Sequence, residues 1–379
     1  MIDRDLHARL TAWRRHLHAH PELTLHERQT AAFVCERLRE LGIPFTAGIG
    51  GHGVVATLSR GNSNRSVGLR ADMDALPIVE ATGLPYASSN PGVMHACGHD
   101  GHTTSLLGAA ALLARDPDWH GTVHFVFQPA EEGGGGARAM IADGLFQRFP
   151  MERIFGYHNW PGLEAGTVQV HSGAVMASGG RLEFRVRGRS GHAAIPHQAR
   201  DPMLAAAHLL IALQSVVSRE TSPLDAAVIS LCTIEAGSAI NQIPDEAVMR
   251  GTMRCLSPEV RAAMLEQIRR VANGIAAAFG VEIETNVRLG YGVTANTPAE
   301  ADLAAKACAA AGLTVRRDLA PSMTGEDFSY YLGEKPGAFV WIGNGPTAGL
   351  HNSKYDYNDE ILPAAATYLA ATAKRALAD

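Results

Sequence analysis

Met94-His-Ala-Cys-Gly-His-Asp-Gly-His102 gathers three histidines, one cysteine and one aspartate into nine residues at the head of an apolar helical run. Cys97 and His99 flank a single glycine. Within a helix, side chains two apart point away from each other, whereas a tight glycine turn that opens a helix can bring both to one side. The stretch therefore reads as a metal site at a helix N-terminus. The alternative is an N-capping turn through Asp100 and Thr103 with a buried thiol, and the positions of other ligand-type residues must decide between them.

Moving outward, the helix from about Gly101 to Arg115 is preceded by short strands at Val54–Leu58 and Ser66–Ala71. It is followed by Thr122-Val-His-Phe-Val-Phe-Gln128, a run of β-formers. Pro129-Ala-Glu-Glu-Gly-Gly-Gly-Gly136 makes a loop, a helix runs to about Gly144, and an apolar strand from Arg153 to Tyr157 ends on His158. Strand and helix alternation predicts a largely parallel mixed sheet covered by helices, an α/β class whose ligands collect beyond the strand C-termini. Asp74, Glu131, Glu132 and His158 all fall at such ends. Two helices precede this unit, from Asp5 to His18 and from about Leu25 to Leu41, the second stopped by Gly42 and Pro44.

Near Ser178 the pattern changes. Arg181-Leu-Glu-Phe-Arg-Val-Arg187 alternates polar and apolar residues, then come a helix (201–219), strands at 226–234 and 246–254, a helix (258–279) and a strand (281–289). This β-α-β-β-α-β order predicts a ferredoxin-like α+β sandwich. Its open face and edge strands make it the expected dimerisation surface. From about Asn296 the first pattern resumes with a helix to Ala311, a strand at 338–342, the stretch Leu350-His351-Asn352 and a last helix. The expected domains are thus 1–177 with 291–379, and an inserted domain at 178–290.

Composition narrows the function. The 379 residues are 46% hydrophobic and 19% charged, with a net charge of −5, so no basic field for nucleic acid or an anionic membrane is present. No apolar run of ~18 residues long enough for a bilayer and no secretory signal is visible, and the expected location is the cytoplasm. Five scattered cysteines fit reduced thiols. Cys35, Cys232 and Cys308 sit on helix or strand patterns as small core residues, and only Cys97 has ligand-type neighbours. His16, His18, His20 and His26 lie in the first helices, away from any strand exit, and His7, His52, His120 and His171 also lack ligand-type neighbours. None of these is expected in the site. His102 and His197 remain open as supports.

Cys97, His99, a carboxylate of the Glu131-Glu132 pair, His158 and His351 outnumber the three or four ligands of a single zinc ion, which points to two metals with a shared ligand. Adjacent glutamates let one bind metal while its neighbour serves as general base. The competing reading of the pair is a solvated helix start.

His95-Ala-Cys-Gly-His-Asp-Gly-His102, Gln128-Pro-Ala-Glu-Glu-Gly133, Gly191-His-Ala-Ala-Ile-Pro-His197 and Asn241-Gln-Ile-Pro-Asp245 resemble the metal-dependent aminoacylase and carboxypeptidase family, in the branch of hippurate and amino-acid-conjugate hydrolases. Gly325-Glu-Asp-Phe-Ser329 and Leu350-His-Asn-Ser353 extend the resemblance, which runs from about Trp13 to Pro363. It implies Cys97, His99, Glu132, His158 and His351 as ligands of two divalent ions, zinc or manganese, with Cys97 where related peptidases use a bridging aspartate, and Glu131 as general base. Asp72 stands where relatives carry a ligand histidine, and Asp74 would orient a ligand. The resemblance further assigns His192 of the inserted domain as the oxyanion donor, supplied by a partner subunit as the site closes, and Asn241 and Arg254 as substrate-binding residues. Arg254 suits a free α-carboxylate. An interface salt bridge is its other reading, and a surface histidine that of His192. The implied reaction is hydrolysis of the amide of an N-acyl amino acid. A carboxypeptidase or dipeptidase with the same machinery, and a non-catalytic metal- or ligand-binding protein, are the alternatives.

Overall fold

The structure of the protein is a computed structural model that describes residues 2–378. It divides into two compact units, one of residues 1–175, 295–320 and 327–379, and one of residues 176–294 and 321–326.

The first unit is built on an eight-stranded mixed sheet. Its centre is four neighbouring parallel strands, Gly121–Gln128, Ser66–Asp72, Arg153–Pro161 and Gly337–Gly345. Antiparallel Gly53–Arg60 and then Phe45–Ile49 extend one side. The last of these has no counterpart in the sequence reading, because Pro44, Gly48 and Gly50 break its pattern. The central strands read as almost unbroken apolar runs because helices cover both faces, so alternation has no exposed face to mark. Helix His99–Arg115 is buried along nearly its whole length, packed on Arg4–Ala19 and Leu362–Ala378. From Leu106 to Leu113 it is therefore apolar all round, as a core helix is, while its first turns bury His99, Asp100, His102 and Thr103. The core joins Leu106, Leu107 and Ala110 to Phe125, Phe155, Val340 and Leu369.

The second unit has the order strand Ser178–Arg187, helix Pro202–Ser215, strands Ala227–Ala236 and Glu246–Cys255, helix Pro258–Phe279 and strand Glu282–Leu289. Its sheet is antiparallel, and across it the 227–236 strand is followed by 246–255, then 178–187, then 282–289. One face packs Leu182, Phe184, Val186 and Met249 against Leu209, Leu213, Met264 and Ile268. The other face carries Arg185–Glu246, Arg187–Glu284 and Arg250–Glu183 ion pairs, so here the two-residue alternation is legible.

One sequence expectation is corrected, that Cys232 is a core residue. Segment Pro202–Glu220 is long and apolar enough to cross a membrane by length and composition alone, although Ala205, Ala206, Leu209 and Leu213 on it are buried in the second unit's core. Cys232 is exposed, because the 227–236 strand has a register shift between Leu231 and Thr233 that turns it out of the pleat. His18 is fully buried, with Nδ1 2.8 Å from Asp100 in the first turn of the 99–115 helix.

Candidate metal centre

All four central parallel strands deliver site residues from their C-terminal ends, as an open α/β sheet does. Strand 66–72 leads to Asp72 and Asp74, strand 121–128 to Glu131 and Glu132, strand 153–161 carries His158, and the loop after strand 337–345 carries His351. The turn before the 99–115 helix brings Cys97 and His99 alongside them. Gly98 has φ +89°, and a Cβ there would lie 2.4 Å from Asn159 Oδ1 and 2.6 Å from the Tyr355 hydroxyl. Only glycine fits both the backbone angle and the space.

The five ligand candidates come together in two groups that share Cys97. Donor atoms of Cys97, His99 and His158 lie within 4.8 Å of one another, and so do those of Cys97, Glu132 and His351. Cys97 Sγ is 3.3 Å from His158 Nε2, and His351 Nε2 is 3.2 Å from Glu132 Oε1. His158 Nδ1 lies 2.7 Å from the Asn159 carbonyl. That carbonyl can only accept, so the proton sits on Nδ1 and the Nε2 lone pair faces Cys97. Burial, with His102 and His99 nearby, holds the His158 pKa well below the usual range, so the ring is neutral.

Cys97, His99 and His158 are buried, whereas His351 is half-exposed and has φ +61°, a backbone angle rare for any residue with a side chain. Its N–H is tied to the Ala96 carbonyl at 2.8 Å, so the turn that carries Cys97 also positions His351.

Electrostatics at this cluster call for positive charge. Burial pushes the Cys97 thiol well above its ordinary range, and Glu132, Glu131 and Asp72 push it further, so a thiolate there needs a cation beside it. Burial would lower the His99 pKa, but Asp72, Asp74 and Glu132 outweigh it and carry it up to about 10. Neither ring nitrogen of His99 has an aligned hydrogen bond, nor has Glu132 Oε1, although all three atoms are buried. The Asp74 carboxylate is 3.3 Å from His99 Nδ1, within ion-pair distance but outside hydrogen-bond geometry. Orphaned buried lone pairs among several carboxylates fit two divalent ions.

Asp74 accepts from the backbone N–H groups of both Glu131 (3.0 Å) and Glu132 (2.9 Å) and from the Thr24 hydroxyl (2.6 Å). Glu131 is buried, and its Oε1 accepts from the Asp327 N–H at 3.2 Å. Asp72 is taken up by Arg70 (2.8 Å) and His102 (2.6 Å). Burial would raise its carboxyl, but His99, Arg70 and His102 hold it well below the usual range. His102 Nε2 in turn is 2.6 Å from Asn159 Oδ1. Asn159 and Tyr355 escaped the sequence reading because their mutual bond joins residues 196 apart in the chain. His102 alone left a signal, three residues after His99 on the same helix.

His192, Asn241 and Arg254 belong to the second unit. His192 is exposed on the two-residue strand Gly191–His192, paired with Gln242, and the Asn241 carbonyl accepts from the neighbouring Ala193 N–H at 3.0 Å. Arg254 donates to the Tyr291 hydroxyl at 2.6 Å, and among the described residues it forms no ion pair with a carboxylate.

Comparison with known proteins places the chain in a family. The model of peptidase family M20/M25/M40 matches residues 68–375, and the chain belongs to that family. It is a metal-dependent amidohydrolase by fold and by donor set. A hippurate hydrolase from Campylobacter jejuni is 42% identical over 377 residues, covering 98% of each chain. An N-acetylcysteine deacetylase from Bacillus subtilis is 41% identical, covering 98% of this chain and 97% of that protein. A solved structure of a dinuclear metal-binding peptidase of the M20 family from Bacillus subtilis superposes with a TM-score of 0.89 at 37% identity, covering 99% of both chains.

Proposed function

We propose that the chain hydrolyses the amide bond of N-acyl amino acids of the hippurate type, releasing a carboxylic acid and a free amino acid. The observation that carries this is the pair of donor groups sharing Cys97, with Glu131 beside them: His99, Glu131 and Glu132 also have donor atoms within 4.8 Å of one another. Two divalent ions, zinc or manganese, would be held by Cys97, His99, Glu132, His158 and His351, and would acidify a water and polarise the scissile carbonyl. Cys97 would be the shared ligand.

Glu131 is the general base. Its carboxylate takes a proton from water, the water oxygen bonds to the acyl carbon, and the C–N bond breaks as Glu131 returns the proton to the amine nitrogen. Asp74 holds the backbone of the glutamate pair and orients His99. In the second unit, read as a ferredoxin-like lid and dimerisation domain, His192 donates to the developing oxyanion, and Asn241 and Arg254 bind the substrate, Arg254 at its α-carboxylate. The edge strand 227–236 and the exposed apolar residues Met203, Leu204 and Ile211 support a homodimer through this unit. The free cysteines support a cytoplasmic location.

Glu131→Gln tests the reading. It is expected to lower kcat for hippurate by about 10²- to 10⁴-fold while two metals per chain remain, and retained turnover would remove Glu131 from the role. Hippurate, N-acetyl amino acids and dipeptides assayed side by side separate an aminoacylase from a dipeptidase.

A further inference from the structure

Asp327 is 1% exposed, and its carboxylate is bonded on several sides. It accepts from Gln128 Nε2 at 2.8 and 3.0 Å, from the Ala137 N–H at 3.0 Å and from Arg70 at 3.0 Å. Gln128 and Ala137 are the two stems of the loop that carries Glu131 and Glu132, so one carboxylate ties both ends of that loop. The backbone N–H of the same residue donates to Glu131 Oε1. Arg70 also donates to Gln128 Oε1 at 2.8 Å and to Asp72 at 2.8 Å, which fixes Asp327 to the ends of two central strands.

The loop between these stems is not relaxed. Ala130 has φ +55°, an angle that residues with a side chain rarely adopt and that surrounding contacts must hold. Its N–H is held by Glu27 Oε1 at 2.8 Å, and the next two N–H groups by Asp74. Those contacts fix the backbone of the loop, whereas Asp327 closes its stems and also reaches the Glu131 side chain.

We propose that Asp327 is a positioning residue for Glu131, setting the direction of its carboxylate so that one oxygen can take and return the proton. The proposal rests on the reading of Glu131 as general base. A glutamate side chain without such a contact samples several rotamers, and proton transfer is steep in geometry.

Asp327→Asn keeps the size but turns an NH2 group toward donors that now bond to a carboxylate. It is expected to lower kcat about 30- to 100-fold with KM changed less than about threefold and two metals retained. Gln128→Met, which removes the Gln128 bonds to Asp327 and to Arg70 but leaves the Arg70–Asp327 and Ala137–Asp327 bonds, is the milder variant and should lower kcat in the same sense. In an E131Q background either substitution should add less than about threefold, because both act through Glu131. A purely structural Asp327 would give equal fractional losses in both backgrounds, together with lost metal or a lowered melting temperature, and that outcome overturns the proposal. So does wild-type kcat in a folded, metal-loaded Q128M or D327N enzyme. If E131Q leaves no residual turnover to compare, the split of kcat from KM at full metal content decides. Wild-type activity in E131Q itself would instead refute the base reading, separately from the effect of D327N.

Discussion

The carboxylate of Asp74 and the backbone N–H of Glu132 meet at 2.9 Å inside the protein, and the other oxygen of Asp74 accepts from the N–H of Glu131. One buried aspartate thus fixes the backbone under both glutamates while lying 3.3 Å from His99. Asp74→Asn replaces one acceptor with a donor that faces an N–H. Leaving that buried donor unpaired is expected to cost about 1–3 kcal/mol of stability, and the loss of His99 orientation about 10- to 100-fold in metal affinity. Competition against a chelator of known affinity reads the second quantity, and an unchanged metal affinity would contradict this role for Asp74.

Gly98 sits where any side chain strikes Asn159 and Tyr355. Gly98→Ala adds a left-handed penalty of about 1–2 kcal/mol to that overlap, so the expected loss is at least about 2 kcal/mol in urea unfolding. Because Cys97 and His99 flank it, metal content should fall with stability. A variant with wild-type metal content would mean that the turn tolerates a shift.

The His18–Asp100 pair makes stability depend on pH. Burial opposes protonation of His18, but its bonds to Asp100 and Glu80 push the pKa up to about 9. A folded-state pKa above the unfolded value of about 6.5 contributes stability that is fully present below about pH 6.5 and is lost as pH rises through about 9. The loss should be on the order of 3 kcal/mol across that window. Denaturant unfolding of the wild type and His18→Gln at several pH values tests it, since the variant should lack the decline. Parallel slopes would assign the effect to other groups.

Mixing two inactive variants tests how His192 reaches the site. If a partner subunit supplies it, Glu131→Gln and His192→Ala chains that exchange subunits should recover activity, because one site of the mixed dimer then has both residues intact. A mixture no more active than its parents would place His192 and Glu131 in the same chain's site. Light scattering on the same samples reports whether dimers are present at all.

Much of the fold was legible because local pattern records it. Strand and helix alternation marked the mixed sheet, and the change to two-residue alternation near Ser178 marked the second unit. Helix Pro202–Ser215 buries one face in the core while the other still carries Met203, Leu204 and Ile211, so segment Pro202–Glu220 is apolar enough by composition alone to resemble a membrane span. Composition cannot separate a helix with one apolar face in a core from one that is apolar for another reason. His18 was set aside because its partner, Asp100, is 82 residues away.

The sequence alone determined the kinds of donor available and their order along the chain: thiol, imidazole and carboxylate at successive strand exits, opened by the turn at Gly98. Only the tertiary structure decided which of them face one another and which carboxylates are already committed. Asp72 and Asp74 stand two residues apart, yet Arg70 and His102 hold the first, while the second supports the glutamate pair and lies against His99. Arg70 also reaches Asp327, 257 residues away. A strand pattern shows that a side chain is buried, but the charge that balances it comes from whichever segment packs there, and a buried ion must find such a partner for the fold to hold.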